Sequence, residues 1–323
     1  MTLPAPDEDG ATALHPGLGP QPSAAVVLAQ DMDPALLQRI EDSSLNASAP
    51  PQQRWLDGWI VRTCPGKAKR ARCINAVAPG VRTPQAKLVE CEALFQQAGL
   101  PLVVRITPFT QPAGLDAELA RQGWPMFDDT RVMVLAEMEG KTGEAGKTGE
   151  AGETGETGET GRAGLIRQTG PTDQTARTVE MAPPGLPPGW SETLEGALGY
   201  ARTVGALRGS SALEVESHAQ RLQGSPVPYT GLVWRDGAGA VQACGQFARD
   251  ADLVGLYDIF TALAARGRGV ARALCARLLQ LALDEGARTA YLQVDAANAP
   301  ARKVYTRLGF QDVYSYHYRS REA

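Results

Sequence analysis

Apolar positions recur along the chain with two periods, which predict strands and helices in succession. In the last third, short runs of alternating apolar and polar residues surround an apolar stripe at helical spacing. This stripe includes Leu274, Leu278 and Ala282. Asp236-Gly237 supplies a hairpin turn between two of the runs. The predicted order is α-α-β-β-β-α-β-α-β, over residues 191–207, 213–222, 229–234, 240–248, 254–260, 269–286, 289–295, 299–308 and 310–319. Such an order indicates a mixed α/β domain with one central sheet.

The first third shows the same two periods in shorter runs. Residues 57–63 and 70–77 alternate like strands and flank the turn Pro65-Gly66-Lys67, which predicts an antiparallel hairpin. The other predicted elements are helices over residues 32–45, 84–98 and 115–121, and strands over residues 102–106 and 130–136. This region therefore also predicts a sheet flanked by helices.

Two segments lack either period. The first segment, residues 1–28, is rich in Ala, Pro and Gly, and this composition predicts a disordered tail. In the second, glycine occupies every third position from Gly140 to Gly164, as in collagen, but proline is missing and the segment is too short to hold three chains together. A flexible acidic linker is therefore favoured over a trimeric stalk. The predicted organisation is a tail at 1–28, a first domain at 29–138, a linker at 139–164 and a second domain at 165–323.

Composition and charge narrow the classes of partner. Of the 323 residues 43% are hydrophobic, which suffices for two ordinary domains. The net charge of −4 argues against nucleic acid or an anionic membrane as the main partner. No run is long and apolar enough to span a bilayer, and the first residues lack the pattern of a secretory signal, so we expect a cytoplasmic protein.

The cysteines and histidines also agree with the expectation of a cytoplasmic protein. The five cysteines are scattered and odd in number, and we expect them to be small buried core residues in a reducing compartment. The three histidines are far apart in sequence, which predicts no metal site. The basic run at residues 67–72 could be a nucleic-acid patch, but the acidic balance of the chain favours the solvated side of a strand.

The motif that carries chemistry is the turn Arg266-Gly267-Arg268-Gly269-Val270-Ala271, which leads from a predicted strand into a predicted helix. Its glycines allow close approach of the backbone, and the helix N-terminus adds about half a positive charge. This combination predicts a pyrophosphate site. Two other phosphate motifs do not fit, because the dinucleotide fingerprint needs glycine where Arg272 stands and the Gly-Lys-Ser/Thr of the P-loop is missing.

Arg266-x-x-Gly269-x-Ala271 resembles the Gln/Arg-x-x-Gly-x-Gly/Ala signature of the GNAT superfamily, the Gcn5-related N-acetyltransferases. A second family feature follows at the matching separation: Asn298, then a helix that carries Tyr305 and ends in Gly309-Phe310. Both features lie in the structural setting that the family gives them. By this resemblance, residues 229–319 are identified as an acyl-CoA-dependent N-acetyltransferase domain.

The resemblance implies roles for the residues of the signature loop and the strand before it. The family holds the pyrophosphate of CoA on the backbone of the loop, and the matching residues here are Arg266, Gly267, Arg268, Gly269, Val270 and Ala271. The strand end would pair its backbone with the pantetheine arm through Thr261, Ala262 and Leu263. Leu263 departs from the family, since many relatives carry proline there, and the departure changes a detail of the strand end. No metal is implied.

Tyr305 and Asn298 each have a structural and a functional interpretation. Tyr305 could be a core residue that uses its ring for packing. The resemblance implies that it is the general acid for the departing CoA thiolate, and a phenol near pKa 10 is protonated at neutral pH and can donate. Asn298 could be the N-cap of the following helix. In the family the matching Asn also lies near the cofactor, and both roles can hold together.

The sequence defines the general base less sharply. Asp258 stands on the strand beside the signature loop, a region where the family often places an acid, although it could equally be a polar residue on a sheet face. A water-mediated route or an amine that is already neutral would also serve. Tyr257 and Tyr316 are candidates for lining the acceptor pocket, and His218 is isolated in sequence.

The first domain resembles a degenerate GNAT half. Residues 103–124 mirror residues 290–310 as a strand, a loop and a short helix that ends in glycine and an aromatic residue. In this superposition Leu119 stands where Tyr305 stands, and the loop at residues 79–84 lacks the signature. We therefore expect a half without cofactor binding that shapes the acceptor site or buries an edge of the catalytic half.

Together these features predict two tandem GNAT-like domains in a mixed α/β fold. The second would move an acetyl group from acetyl-CoA to an amine by direct attack in a ternary complex, with a backbone N–H stabilising the carbonyl oxygen. The alternative is a catalytically weak CoA-binding sensor or interaction module. We expect a small-molecule or peptide amine as acceptor, and the acidic balance of the chain favours a cationic one.

Overall fold

The computed structural model describes residues 32–138 and 186–321, called here the N-terminal half and the C-terminal half. The predicted tail and linker lie outside these residues, and the predicted domain boundaries stay predictions. The helices are α1 (Pro34–Ala47), α2 (Pro84–Gln97), α3 (Leu115–Arg121), α4 (Ala197–Leu207), α5 (Ala212–Gln223), α6 (Val270–Asp284) and α7 (Ala299–Arg307). The strands are β1 (Gln53–Leu56), β2 (Trp59–Arg62), β3 (Ile74–Ala76), β4 (Val103–Ile106), β5 (Met126–Leu135), β6 (Ser191–Glu195), β7 (Tyr229–Arg235), β8 (Val241–Asp250), β9 (Leu253–Thr261), β10 (Thr289–Asp295) and β11 (Gln311–Ser320).

Side-chain caps fix where several helices begin. Asp33 precedes α1 and accepts a hydrogen bond from the backbone N–H of Ala35 at 2.9 Å, with Pro34 in the first turn. A capping box begins α5, since Ser211 accepts from the N–H of Glu214 while the Glu214 carboxylate accepts from the N–H of Ser211. These local signals are the reason that the predicted starts of α1 and α5 agree with the structure to within two residues.

All eleven strands of the described residues form one sheet, in the order β1-β2-β3-β4-β11-β5-β10-β9-β8-β7-β6. Two pairs, β3 with β4 and β9 with β10, are parallel, and the other neighbours are antiparallel. Four strands lie on one side of the central β11–β5 pair and five on the other, where β6 is the additional edge strand. Helices lie on the sheet, so the predicted mixed α/β architecture is confirmed.

The two halves exchange their last strands across the centre of the sheet. Strand β5 of the N-terminal half pairs with β10 of the C-terminal half, from Thr130 opposite Asp295 to Leu135 opposite Ala290. Strand β11 of the C-terminal half pairs with β4 of the N-terminal half. Each half therefore contributes the strand that completes the other.

Two large apolar clusters form the core of the C-terminal half, and both include residues of the N-terminal half. One gathers α6 and α7 with β7 to β10 and includes Trp234, Leu274, Leu278 and Phe310. The other lies under α1, which brings Leu37 and other residues of the N-terminal half onto the tyrosines of β9, β10 and β11. Burial of α1 there means that the N-terminal half also covers part of the sheet of the C-terminal half.

Two predicted elements are wrong. Residues 191–195 form the edge strand β6, antiparallel to β7, and the helix predicted over 191–207 begins only at Ala197. Pairing with a neighbouring strand overrides the weak local preference of these residues. Residues 69–71 form a short 3₁₀ helix, so the strand predicted over 70–77 is confined to Ile74–Ala76.

The basic run at residues 67–72 faces the C-terminal half and does not form the solvated side of a strand. Lys67 lies 3.4 Å from Glu214 of α5, and Arg70 donates to the Gln293 side chain on β10. Lys69 pairs with Asp128. Through these contacts, the charged side chains of Lys67 and Arg70 lie at the junction between the halves.

Within residues 32–138 and 186–321, no helix combines the length and the apolar composition needed to cross a bilayer.

Candidate active site

Strands β9 and β10 diverge, and the divergence opens a cleft in the sheet. Their parallel pairing runs from Leu253 opposite Thr289 to Leu256 opposite Leu292 and ends there. Beyond this point β9 continues to Thr261, paired with β8 alone. The backbone edge of β9 that faces β10 is therefore available over residues 257–261 to groups that are not part of the sheet.

A bulge in β9 directs Asp258 away from the regular pleat. Asp258 has a φ of +52°, and two residues of β9 lie opposite Gly245 of β8. Gly245 leaves room for this bulge, because a Cβ on it would lie 2.6 Å from the Ile259 Cδ1 and would displace that side chain. The Tyr200 hydroxyl donates to the carbonyl oxygen of Asp258 at 3.2 Å and holds the bulge from α4. Bulges of this kind redirect side chains next to functional sites.

The Asp258 carboxylate is held by three neighbouring side chains. Arg208 donates to its Oδ1 at 2.7 Å and Gln246 donates to its Oδ2 at 2.6 Å, while the His218 Nε2 lies 3.3 Å from Oδ2. Burial alone would raise the pKa of this carboxyl, but His218 and Arg208 outweigh burial and hold the pKa well below its usual range. Asp258 is therefore a stable carboxylate and a weak proton acceptor.

The signature loop forms an open cradle at the start of α6. Gly267 and Gly269 have φ values of +73° and +78°, a region that favours glycine, and a Cβ on either would meet no atom of the described residues within 4 Å. Gly269 is the N-cap of α6 and makes no side-chain cap hydrogen bond. The first N–H groups of the helix are thus available to an anionic ligand.

The other residues predicted for the cofactor surround this cradle. Arg266 and Arg268 are exposed, and the Arg266 side chain donates to the carbonyl oxygen of Thr261 at 3.1 Å. Ala262 and Leu263 lead from β9 into a single 3₁₀ turn, and Leu263 is 78% exposed beside the cleft. The structure therefore brings the predicted loop residues together at one end of the cleft.

Tyr305 lies on α7 in the apolar cluster that also holds Ala265, which directly precedes the signature loop, and Val270 of the loop itself. Its ring meets Phe310 edge-on with centroids 6.2 Å apart, so the packing interpretation is correct for the ring. Burial raises the pKa of the Tyr305 hydroxyl, which keeps it protonated at neutral pH. Asn298 caps α7 by accepting from the N–H of Ala301 at 3.2 Å, so its structural interpretation is also correct.

A cavity of about 160 Å³ lies between the halves next to Asp258. One wall is the segment 64–71 of the N-terminal half, and the opposite wall is formed by α4 and α5. The inner face of α5 is a polar stripe at helical spacing, which consists of Glu214, Ser217, His218 and Arg221. Tyr257 and Tyr316, the predicted pocket residues, do not line this cavity, because their hydroxyls bond to Tyr291 and to Gln293 in the interior.

The polar stripe was not predicted from the sequence, although the helical spacing of its residues is present there. Helix α5 buries Ser217 and Arg221 beside the apolar Ala219 and Leu222, so part of its inward face is polar. A helix whose inward face is charged indicates a polar cavity. His218 is isolated in sequence and reaches Asp258 only through the packing of α5 against β9.

The N-terminal half repeats the helix end of the C-terminal half. The N–H of Trp124 donates to the carbonyl oxygen of Leu119 at 3.0 Å, and the N–H of Phe310 donates to that of Tyr305 at 3.1 Å. The two helices thus end in the same way, and the superposition of Leu119 on Tyr305 stays a prediction. Under that superposition a buried leucine would stand in the N-terminal half where the C-terminal half has the phenol.

The loop before α2, which corresponds to the signature loop, is filled by the chain itself. The Asp57 carboxylate accepts from the N–H groups of Val81 and Arg82 at 2.8–3.1 Å, and these hydrogen bonds lower the pKa of Asp57. A Cβ on Gly80 would lie 2.5 Å from that carboxylate. The buried Lys87 ammonium donates to the carbonyl oxygens of Asp57 and Pro79, both at 2.9 Å. The N–H groups of the loop before α2 are thus occupied by Asp57, whereas those at the start of α6 face outward.

Residues 206–310 match the family described as the Acetyltransferase (GNAT) family. The C-terminal half carries a GNAT-family domain. The match includes the signature loop, the bulge at Asp258 and Tyr305, and acetyl-CoA is the cosubstrate that the GNAT family uses. No protein of curated function matches the sequence.

Solved structures share the fold over most of the chain. A GCN5-related N-acetyltransferase from Kribbella flavida superposes with a TM-score of 0.53 at 15% identity, over 88% of this chain and 95% of the other. A tandem GNAT protein from the clavulanic acid biosynthesis pathway gives 0.50 at 16% identity, over 74% and 69%. A functionally unknown conserved protein from Staphylococcus epidermidis gives 0.50 at 8% identity, over 84% and 94%. The predicted tandem GNAT-like fold is confirmed: the N-terminal half is GNAT-like as well.

Proposed function

We propose that the chain is an acyl-CoA N-acetyltransferase whose catalytic centre lies in the C-terminal GNAT domain. The observation that carries this proposal is the cleft between β9 and β10, with the open glycine cradle at the start of α6 at one end. A free strand edge and uncapped helix N–H groups suit an extended amide arm that ends in a pyrophosphate.

In this proposal the pyrophosphate of acetyl-CoA binds the backbone of residues 266–271, and Arg266 and Arg268 add positive charge beside it. The pantetheine arm extends along the free edge of β9, next to residues 261–263. Asn298 caps α7 at the mouth of the same cleft, and we keep its contact with the cofactor as part of the proposal. None of these contacts requires a metal ion.

The transfer proceeds by direct attack of the acceptor amine on the thioester carbonyl carbon. An N–C bond forms, the C–S bond breaks, the amine gives up one proton and the thiolate gains one, so that an N-acetylamine and CoA result. A free backbone N–H of β9 stabilises the carbonyl oxygen. The protonated Tyr305 hydroxyl donates to the departing sulfur.

We propose that His218, positioned by Asp258, accepts the proton that the amine loses, in place of Asp258 alone. The weak basicity of the Asp258 carboxylate argues against it as the proton acceptor. His218 lines the cavity, and its Nε2 faces Asp258 at 3.3 Å. With Nε2–H directed at that carboxylate, Nδ1 carries the lone pair and can accept the proton. Asp258 then acts as the positioning residue.

The N-terminal half is proposed to shape the acceptor site without binding a cofactor. Its segment 64–71 supplies one wall of the cavity, and its own loop before α2 is occupied by Asp57. Its three cysteines and the two of the C-terminal half are buried and free, which suits a reducing compartment such as the cytoplasm.

Tyr305→Phe separates this proposal from the alternative of a CoA-binding sensor. The ring that packs on Phe310 is retained, so we expect acetyl-CoA affinity and folding to be unchanged. Loss of the donor should lower kcat by roughly 10²- to 10⁴-fold, the usual contribution of a general acid. Thiol release from acetyl-CoA with a panel of small amines measures the rate. Equal rates for both proteins would remove Tyr305 from the mechanism and favour the sensor.

A further inference from the structure

The cavity between the halves has more positively than negatively charged side chains. When the ion pairs are counted, one arginine has no carboxylate partner among the described residues. Three cationic side chains line it, Lys67, Arg208 and Arg221, against two carboxylates, Glu214 and Asp258. Lys67 lies 3.4 Å from Glu214, and Arg208 lies 2.7 Å from Asp258. Among the carboxylates of residues 32–138 and 186–321, none forms an ion pair with Arg221.

Arg221 is also one of the most buried polar residues of the cavity wall. The residue is only 8% exposed, and its polar neighbours include the Tyr229 hydroxyl, which donates to the carbonyl oxygen of Ala47. Arg221 also helps to lower the pKa of Asp258, but it forms no ion pair with that carboxylate. A buried guanidinium without a carboxylate is costly unless a ligand supplies the missing charge. Because Arg221 lines the cavity, that ligand would be bound there.

The two carboxylates of the cavity are not available to a cationic acceptor. Both oxygens of Asp258 are taken by Arg208, Gln246 and His218. Glu214 accepts from the N–H and the hydroxyl of Ser211 at 2.8 and 3.1 Å as well as facing Lys67. The cationic amine expected from the net charge of the chain therefore finds no free partner in this cavity.

We propose that the acceptor amine carries a carboxylate, and that Arg221 binds this carboxylate in the cavity. One unpaired positive charge suits one monovalent anion, whereas a phosphomonoester would bring about two negative charges. Guanidinium groups bind carboxylates through two parallel hydrogen bonds, which fixes orientation as well as affinity. With the carboxylate at Arg221, the amine end of a small amino acid is left to face His218 and the cleft. This inference rests on the proposed acetyltransferase function.

The test compares free amino acids with their carboxamides and with the amines obtained by decarboxylation, by thiol release from acetyl-CoA. We expect at least one free amino acid to be acetylated, with kcat/KM roughly ten- to hundredfold above that of its carboxamide. Arg221→Gln should abolish this preference, and Arg221→Lys should retain part of it because the charge remains. Arg202→Gln is the control, since Arg202 is exposed on α4 and does not line the cavity.

Each other outcome is decisive. Preference for carboxamides or decarboxylated amines, or an acid preference that survives Arg221→Gln, would overturn the assignment of Arg221 and leave the acetyltransferase proposal standing. If calorimetry shows that acetyl-CoA binds but no free amino acid is acetylated, the assignment of Arg221 would likewise be overturned and the acetyltransferase proposal would stand. Failure of the full-length protein to bind acetyl-CoA would overturn both proposals.

Discussion

The proposed pairing of Asp258 with His218 depends on neighbouring elements that converge on the bulge of β9. Arg208 comes from the end of α4, Gln246 from β8 and His218 from α5, and each contacts the same carboxylate. Arg208 offsets the charge of Asp258, and Arg208 and the Gln246 amide keep the carboxylate in one orientation. A fixed carboxylate is well suited to orient an imidazole and poorly suited to take a proton itself.

Substitution at the two positions tells the roles apart. We expect His218→Asn to lower kcat by roughly 10²- to 10⁴-fold, the usual contribution of a general base, with acetyl-CoA affinity unchanged. Asp258→Asn should lower kcat less, since His218 keeps its place in the cavity wall. Steady-state thiol release measures kcat and calorimetry measures affinity. An active His218→Asn together with an inactive Asp258→Asn would return the base to Asp258.

The sequence located some of these residues and missed others for a physical reason. Tyr305 and the loop at residues 266–271 lie in contiguous motifs, so spacing along the chain is enough to find them. His218 and Arg221 lie far in sequence from the residues that they face, and only packing of α5 brings them there. The helical spacing of the polar residues on α5 was the available signal, and it does not say which groups those residues face.

At the scale of elements, α3 is tied to the exchanged strand β11 by a buried charge cluster. The Asp116 carboxylate faces the His317 ring nitrogen at 2.9 Å and accepts from Arg319 at 2.5 Å. Burial would raise the pKa of Asp116, but His317 and Arg319 outweigh it and hold the pKa well below its usual range. The cluster therefore stabilises the attachment of β11 to the N-terminal half.

Asp116→Asn should lower the free energy of unfolding by about 1.5–3 kcal/mol at pH 7, the range for hydrogen bonds between charged groups. A carboxyl with a depressed folded pKa stabilises the protein above its unfolded pKa of about 3.9, and that stabilisation is lost as the pH falls below it. The difference between wild type and variant should therefore shrink from pH 7 to pH 3. Urea unfolding at both pH values measures it, with Glu118→Gln on the same helix as the control. An equal difference at both pH values would contradict the charge account.

Prediction of the elements was accurate where local signals dominate. Capped helices such as α1 and α5 begin within two residues of their predicted starts. Strand β6 was missed because its residues carry no strong alternation and become a strand by pairing with β7. The exchange of β5 and β11 could not be predicted either, since alternation defines a strand without defining its neighbours.

At the scale of the whole molecule, strand exchange makes the two halves one sheet. Strand β5 pairs with β10 and β11, and β11 pairs with β4, so neither half has a complete sheet without the other. The apolar cluster under α1 spans both halves as well. Stability should therefore be shared across the chain, although the catalytic centre is proposed to lie in the C-terminal half alone.

We expect one cooperative thermal transition for the full-length protein, because partial unfolding would expose the central strands on both sides. Scanning calorimetry should give a calorimetric enthalpy equal to the van't Hoff enthalpy within error. Two separate transitions, with the C-terminal half retaining its sheet after the N-terminal half has unfolded, would contradict the shared sheet.

Under the proposed function, the asymmetry between the two loops predicts one cofactor per chain. Asp57 fills the loop before α2, whereas the cradle at Gly269 is open. Gly269 and Gly239 have φ values of +78° and +82° with open space around both, so leucine at either position imposes a similar backbone strain. Gly239 lies in the β7–β8 hairpin turn, and Gly239→Leu is therefore the matched control for Gly269→Leu.

Calorimetric titration of acetyl-CoA into the full-length protein tests the central claim most directly. The account predicts one site per chain, retained in Gly239→Leu and lost in Gly269→Leu. Absence of binding in the wild type, two sites per chain, or binding that survives Gly269→Leu would contradict it.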